Sequence, residues 1–422
     1  MACPSSRASE CEGNSEMPRR TLAGLALVLL CACEEDFKPS TEVVGLRVLG
    51  LRASPAELRP GQTANLSALV VDPSRPGQRN TLLWLGCEPD PLDQGRSVCS
   101  DTEALADPEK LLPPSDGGEP PSLPPGMSVI GFNEQAAYTV RADLFAELTP
   151  DDARRRRGTV GQVLLMAIAA EVDPLAPREE LEALFEKVRS REIPSVVTLF
   201  RLRVSEDTQQ ANTNPVLSDV SAAGEALAPG ATLRFSDKGP TVLDVTAPDE
   251  AFEAFTQEAP DGTVEAKTEQ LVAAWYSTFG RFDPSRVVLR SGTPLSFLPP
   301  DGSRYQPLPQ ERRGRAWVVV RDARGGQSWR EVPTWLCDAT LPPFRVTGVA
   351  VLEDGLVELR GENLSSVLDV LVGGKALTQA FYSPVRNTFE GVLPSLLSGE
   401  HPVLVRGKDC QDASLPQRLT VP

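Results

Sequence analysis

Short runs that alternate apolar and polar residues dominate the chain, and Gly, Pro and Asp separate them. Alternation over about four to eight residues is typical of half-buried β-strands. In the first half of the chain these runs predict strands at 43–55, 63–73, 81–87, 127–132, 136–145, 159–172 and 193–205. The run at 159–172 is the longest apolar one, so we expect its strand to be central.

Similar runs continue from 214 to the end of the chain. The sequence AWVVVRDARGGQSWREV predicts a β-hairpin whose turn is Asp322–Gly326, because Gly and Asp favour tight turns between two strands. Trp275 and Trp317 lie in strand patterns, and we expect both to be core residues.

Helical periodicity is confined to 177–192. The apolar residues that share one face there, at i, i+3, i+4 and i+7, are Leu181, Leu184, Phe185 and Val188. The basic run Arg154–Arg157 has no interleaved aromatic residues, which favours a solvent-exposed turn over a polyanion site. The fold class is therefore predicted to be mainly β, with tandem Ig-like β-sandwiches and one short helix.

A different pattern precedes these strands. Arg19 and Arg20 are followed by an apolar run at 22–30, then by Cys31, Ala32 and Cys33, and then at once by acidic residues. A helix that spans a membrane needs about 20 apolar residues, so this run is the length of a secretory signal. We therefore expect a cleaved signal over 1–32. Because residues 1–16 are polar and partly acidic, Met17 is the expected translation start.

The residues Leu30-Cys31-Ala32-Cys33 resemble the bacterial lipobox. The resemblance implies that Cys33 is the first mature residue and carries the lipid, with the outer membrane as the location, since Glu34 is not the aspartate of the inner-membrane retention rule. Cys31 departs from the motif, which usually has a small non-cysteine residue there. An ordinary signal peptide with two incidental cysteines is the alternative.

Composition shifts divide the rest of the chain. The predicted parts are a tether at 33–43, an Ig-like domain at 44–205 with a Pro/Gly-rich insertion at 88–126, a linker at 206–213, a second Ig-like domain at 214–338 and a third domain at 342–422. The insertion is interpreted as a surface loop, either functional or simply mobile.

Two of these domains carry family resemblances. The Trp strand and the hairpin of the second domain resemble the PKD and cadherin-like branch of Ig-like domains. The third domain resembles an IPT/TIG domain at Gly361, Asn363, Leu364, Val372-Gly373-Gly374, Val392-Leu393-Pro394 and Pro402–Arg406. That family is a compact Ig-like sandwich of surface receptors and adhesive proteins, with no catalytic residues to carry over.

Cysteine usage suits an oxidising compartment. Loss of the signal leaves Cys87, Cys99, Cys337 and Cys410 besides Cys33, and four cysteines allow three connectivities. Proximity favours Cys87–Cys99, which leaves Cys337–Cys410 as the second disulfide. Free buried thiols are the alternative, and a zinc site is disfavoured because no C-x-x-C pair occurs.

The charge of −16 argues against nucleic acid and anionic lipid surfaces as partners. His401 is the single histidine and lies in a strand pattern, and the sequence contains no P-loop, H-E-x-x-H or G-x-S-x-G motif. Asp322 suggests calcium, but it stands without the run of carboxylates that calcium sites use. No cofactor and no metal are therefore predicted.

These observations predict a non-catalytic cell-envelope lipoprotein that acts as a surface binding, adhesion or structural module. The lipid is expected to anchor the protein in the membrane, and its ligand is an unknown protein or glycan. The alternative is an accessory lipoprotein of a secretion or motility complex. A carboxylate-based enzyme acting on envelope glycans needs no local motif and stays open as a third hypothesis.

Overall fold

The computed structural model describes residues 38–89, 126–173, 176–206, 211–258, 263–303, 306–352, 355–395 and 398–421. The predicted signal, Cys33 and residues 90–125 of the predicted insertion lie outside the described residues. From Pro39 onward the chain forms one unit. Three consecutive parts of it have their own sheets and cores, and we name them the first region (39–206), the second region (211–338) and the third region (342–421).

An eight-stranded sheet builds the first region, in the order β1-β3-β6-β5-β4-β7-β8-β2. Its strands are β1 (Arg47–Ser54), β2 (Glu57–Leu58), β3 (Thr63–Val71), β4 (Thr81–Cys87), β5 (Met127–Phe132), β6 (Gln135–Thr139), β7 (Thr159–Ile168) and β8 (Ser195–Val204). β1 and β2 are consecutive in the chain but lie at opposite ends of this order, so the sheet folds over onto itself and encloses a core. As predicted, β7 is an interior strand, buried from Gly161 to Ile168.

The core of the first region is centred on Trp84, which is 1% exposed and donates its indole N–H to the Asn133 carbonyl at 2.9 Å. Tyr138 is also buried, and its hydroxyl donates to the Cys87 carbonyl at 2.6 Å. Gly161 allows this ring to approach the sheet closely, since an added Cβ there would lie 2.7 Å from the Tyr138 hydroxyl oxygen. The aromatic core thus depends on a glycine in the central strand.

Two helices occur among the described residues, α1 (Ala153–Arg157) and α2 (Arg178–Arg189). α2 is the predicted helix, and its buried Phe185 and Val188 pack in a cluster with Met166 and Ile168 of β7. Neither of the described helices has the length and apolar character needed to cross a membrane.

The helix α1 corrects the interpretation of Arg154–Arg157 as a turn. Asp152 caps it, because its carboxylate accepts a hydrogen bond from the Arg154 backbone N–H at 2.9 Å, and Gly158, with φ of 78°, ends it. The prediction for 136–145 was also too long. β6 ends at Thr139, and the following turns bury Leu144 and Phe145 in the core.

Two five-stranded sheets and a separate hairpin build the second region, in the orders β10-β9-β12-β18-β16, β11-β20-β19-β15-β17 and β13-β14. The strands are β9 (Val220–Ala222), β10 (Glu225–Ala226), β11 (Leu233–Phe235), β12 (Thr241–Val245), β13 (Ala254–Glu258), β14 (Val264–Thr268), β15 (Val272–Ser277), β16 (Arg281–Asp283), β17 (Arg286–Val288), β18 (Leu295–Leu298), β19 (Arg313–Arg321) and β20 (Gln327–Leu336).

An aromatic cluster fills the space between these two sheets. Trp275 is 1% exposed, and the centre of its ring lies 5.7 Å from that of the Phe282 ring. The phenylalanines of the cluster, which pair with one another as stacked or edge-on rings, are Phe235, Phe279, Phe282 and Phe297. The hairpin of β19 and β20 is confirmed, with Arg321 opposite Gln327 on either side of the turn. Trp317, which points to the other face of β19, is buried against the first region instead.

Three sheets build the third region, in the orders β21-β22-β26-β25, β24-β23-β28-β29 and β27-β30. The strands are β21 (Arg345–Val351), β22 (Leu356–Glu362), β23 (Val367–Val372), β24 (Lys375–Ala376), β25 (Thr378–Ser383), β26 (Thr388–Val392), β27 (Gly399–His401), β28 (Val403–Gly407), β29 (Asp412–Ser414) and β30 (Leu419–Val421).

Residues singled out by the IPT/TIG resemblance occupy turns in the third region. Asn363 has φ of 53° and its side chain donates to the Pro343 carbonyl at 2.9 Å, while Gly374, with φ of 78°, lies in the turn between β23 and β24. Leu364 is fully buried. These positions require residues that tolerate left-handed backbone or pack in the core.

Candidate functional site

The predicted cysteine sites fall into three groups. Cys33 and Cys99 lie outside the described residues, so the lipidation and the Cys87–Cys99 pairing stay predictions. Cys87 is fully buried at the end of β4. Cys337 and Cys410 form a disulfide, with their Cα atoms 5.6 Å apart.

This disulfide joins the second region to the third, because Cys337 directly follows β20 and Cys410 lies in the turn between β28 and β29. Polar contacts surround it. Arg234 makes a two-pronged ion pair with Asp412 at 2.6 and 2.9 Å, and the Trp335 indole donates to the Lys408 carbonyl at 2.9 Å. The second and third regions are therefore connected covalently as well as by polar contacts.

The first and second regions share an apolar contact centred on Trp317 and Val319 of β19. Leu49 and Leu69 of the first region pack against them. Gly50 lies on the same contact, where an added Cβ would be 3.1 Å from the Trp329 ring. The outer face of the second region's sheet is thus partly covered by β1 and β3.

The end of the predicted tether belongs to this contact as well. The Val43 N–H donates to the Ser277 carbonyl at 2.8 Å, and the Ser277 N–H donates to the Thr41 carbonyl at 3.0 Å. The backbone at 41–43 therefore pairs with the end of β15 and is part of the folded unit, which corrects the tether prediction of 33–43.

The turn Asp322–Gly326 lies where several charged side chains of the described residues come together. The Asp322 carboxylate accepts hydrogen bonds from the backbone N–H groups of Arg324 and Gly326, both at 2.8 Å, and from the Asn212 side chain at 3.3 Å. An added Cβ on Gly326 would overlap this carboxylate. Asp322 therefore shapes the turn, the role that aspartate takes at many turns.

The turn projects Arg324 into a buried cluster between the first and second regions. Its guanidinium lies 3.1 Å from a Glu269 carboxylate oxygen and 3.3 Å from oxygens of both Glu57 and Glu253. It also lies 4.9 Å from the centre of the Phe255 ring. The side chains of Arg324, Glu57 and Glu269 are at most 5% exposed, so one guanidinium is shared by three carboxylates from two regions.

Glu57 binds the cluster to the rest of the first region. One of its oxygens accepts from the Ser205 hydroxyl at 2.7 Å and lies 3.2 Å from Arg203, and the other accepts from the Asn212 N–H at 3.1 Å. Its carboxylate is thus surrounded by donors, as a buried charge requires.

The crowding of acids affects their protonation. Burial, together with the neighbouring charges of Asp322 and Glu253, raises the pKa of Glu269 to about 7, although Arg324 acts to lower it. Burial also raises the pKa of Asp322. The carboxylates of Glu57, Glu253 and Glu269 bind a guanidinium that belongs to the chain itself, so the cluster connects the first and second regions.

The residues that the structure describes contain no group of three or more His, Cys, Asp or Glu side chains arranged to hold a metal ion. His401 is half-buried in β27, which pairs with β30 in the third region, far along the chain from the Arg324 cluster.

Comparisons with known proteins gave structural matches alone: neither a family model nor a curated protein matches the chain. One match is SGBP-B of a Bacteroides ovatus mixed-linkage glucan utilization locus, solved with a mixed-linkage heptasaccharide. It is 17% identical, with a TM-score of 0.16, and the match covers 50% of this chain and 48% of that chain. SGBP-B of a Bacteroides uniformis xyloglucan utilization locus is 13% identical, with a TM-score of 0.16. This match covers 48% of this chain and 48% of that chain.

The Salmonella enterica SafA pilin in complex with the SafB chaperone is 10% identical, with a TM-score of 0.24, and covers 50% of this chain and 99% of that chain. The chain spans about half the length of the two Bacteroides proteins. TM-scores this low carry no argument about the fold or the function of this chain.

Asp322 was singled out from the sequence, whereas Arg324, two residues further on, was missed. Its partner Glu57 is 267 residues away, and no local pattern signals that a charged residue in a turn will be buried against another region. The one usable signal was the pair of glycines after Arg324, which indicates a tight turn.

Proposed function

We propose that this protein is a non-catalytic lipoprotein of the cell envelope, anchored in the outer membrane through Cys33, which presents three Ig-like domains as a rigid binding module. The first, second and third regions correspond to these domains, and the third is proposed to be IPT/TIG-like. The leader that ends at Cys33 supports the anchor.

The observation that supports a binding module is the rigid connection of the three regions. The Arg324 cluster and the Trp317 contact hold the first two regions together, and the Cys337–Cys410 disulfide holds the last two. A stiff unit loses little conformational freedom on binding, so this construction favours recognition.

Metabolic labelling with a palmitate analogue tests the anchor in the full chain. Label is expected in the wild type and in Cys31→Ala, and it is expected to disappear in Cys33→Ala. Cys31→Ala is a matched control because it removes the neighbouring cysteine and leaves the proposed lipid acceptor. Label that persists in Cys33→Ala contradicts the anchor.

Protease treatment of intact cells tests presentation at the surface. A surface module is degraded without permeabilisation, whereas complete protection favours the accessory lipoprotein that faces the periplasm. Orientation is thereby tested apart from lipidation.

A further inference from the structure

The outer face of the second region's sheet is only half covered by the first region. On β19 and β20, Trp317 and Trp329 are packed against the first region. On β15 the same face carries Val272, Ala274 and Tyr276, because alternate residues of a strand point to the same side. These residues line an open pocket of about 600 Å³ at the edge of the covered area.

Three arginines surround this pocket, although the chain as a whole carries a charge of −16. They are Arg47 of β1, Arg286 of β17 and Arg321 of β19. Among the ion pairs between described residues, none involves these three side chains. The pocket is thus a local concentration of positive charge whose arginines form no ion pair with a carboxylate of the described residues.

Backbone carbonyl groups hold two of the guanidinium groups in place. Arg47 donates through Nη1 to the Ser40 carbonyl at 2.8 Å and to the Glu42 carbonyl at 3.3 Å. Arg321 donates through Nη2 to the Leu49 carbonyl. In both cases these bonds use one terminal nitrogen, and an arginine has five N–H donors. The remaining donors are available to a ligand.

The acidic residue that lines the pocket is Asp322. Its oxygens accept hydrogen bonds from the turn and from Asn212, so it does not neutralise the arginines by direct pairing. An anion entering the pocket would therefore meet positioned cationic donors, and guanidinium groups match the planar oxygens of carboxylates and the tetrahedral oxygens of sulfates.

The other walls of the pocket suit the apolar face of a sugar ring. Val272 and Ala274 form an apolar floor, and Tyr276 stands beside it, with the Arg47 guanidinium 5.6 Å from the centre of its ring. Small-ligand sites combine such apolar surface with a few positioned polar groups. An acidic peptide would have its carboxylates satisfied here but would leave this floor and ring without a matching role.

We propose that the pocket bounded by Arg47, Arg286, Arg321 and Tyr276 binds an acidic sugar, one that carries carboxylate or sulfate groups, within a glycan. This deepens the proposed function, since it names the ligand class of the binding module. It also revises the expectation from net charge, because an acidic protein can bind an anion where its few basic residues converge.

Calorimetric titration of the full chain carrying Cys33→Ala tests this proposal without requiring the lipid. The probes are trigalacturonate, sulfated galactotriose, uncharged galactotriose and a hexaglutamate peptide. At least one charged sugar is expected to bind at least tenfold more tightly than galactotriose and hexaglutamate. Its affinity is expected to fall when the NaCl concentration rises, because salt screens the attraction.

Arg286→Gln is the decisive variant, because the Arg286 side chain is exposed and forms no hydrogen bond or ion pair with another of the described residues. Affinity for the charged sugar is expected to fall about tenfold, the effect of losing one charged hydrogen bond. Arg286→Lys keeps the charge but loses the forked geometry, and an intermediate loss is expected. Arg345→Gln removes an exposed strand arginine of the third region and is expected to leave binding unchanged.

Binding of trigalacturonate or of the sulfated sugar with this variant pattern supports the proposal. Equal or tighter binding of hexaglutamate overturns it in favour of an acidic peptide. Equal binding of galactotriose, an affinity unchanged by Arg286→Gln, or no binding of any probe also overturns it. Because the assay contains no lipid, each of these results leaves the Cys33 anchor to be decided by the labelling experiment.

Discussion

Replacing Glu269 by Gln should make the protein more stable at alkaline pH. Burial raises the pKa of Glu269 from its ordinary value of 4.5 to about 7, so the folded chain keeps this proton up to a higher pH than the unfolded chain. Between pH 4.5 and 7 the folded state therefore binds more protons, and the free energy of unfolding decreases as the pH rises.

The size of this effect follows from the same two values. A rise from 4.5 to about 7 corresponds to a loss of about 3 kcal/mol of stability across this pH range, an upper value because Glu269 shares Arg324 with Glu57 and Glu253. A glutamine is neutral at every pH in this range. It also keeps a carbonyl oxygen that can accept from Arg324, which lies 3.1 Å from the present carboxylate.

Urea unfolding followed by tryptophan fluorescence at pH 5, 6, 7 and 8 measures this difference. Glu269→Gln is expected to match the wild type near pH 4.5 and to exceed it by about 3 kcal/mol at pH 8, with a flatter dependence on pH between. Burial also raises the pKa of Asp322, so Asp322 makes the free energy of unfolding fall with pH in the same direction. Part of the pH dependence is therefore expected to remain in the variant.

Glu390→Gln is the matched control. Glu390 is equally buried and pairs with Arg386 at 2.8 Å, but it belongs to the third region. This variant is expected to keep the wild-type slope between pH 5 and 8. An unchanged slope in Glu269→Gln, or a variant that is less stable than the wild type at pH 8, would refute the assignment of the slope to the Arg324 cluster.

Three further variants test the connections between and within the regions. Arg324→Met leaves Glu269 buried without its cation and Glu57 with Arg203 alone, and a loss of about 3–5 kcal/mol in the free energy of unfolding is expected by urea titration. Cys337→Ser combined with Cys410→Ser removes a cross-link over a sequence separation of 73 residues, and a lower urea midpoint with a loss of about 4 kcal/mol is expected. Gly361→Ala places a Cβ against a backbone carbonyl of β21, so the melting temperature should fall, with a cost of about 1–3 kcal/mol.

The strands of all three regions could be predicted because apolar and polar residues alternate with a period of two within each short run of the sequence. β7, the hairpin of β19 and β20, and the helix α2 follow from such patterns. The helix α1 does not, since Arg154–Arg157 has no apolar periodicity and its start depends on the Asp152 cap. Local patterns also failed at Val140–Phe145, where burial of two side chains in a turn ends the strand early.

The two charged sites between the first and second regions were beyond prediction for a different reason. The Arg324 cluster joins Glu57, Glu253 and Glu269 from separate parts of the chain, and the arginine pocket joins Arg47 to strands more than 200 residues later. Each of these residues alone has the pattern of an ordinary surface charge. Their function is created by the way the regions pack.

The disulfide between Cys337 and Cys410 has a mechanical consequence. If the chain is pulled at its two ends, tension reaching Cys337 passes through the sulfur–sulfur bond to Cys410 and continues to the last strand β30. The strands from β21 to β28 lie between these two cysteines and bear none of the load along the backbone. Most of the third region is therefore shielded from stretching, whereas the Arg324 cluster and the Trp317 contact would yield first.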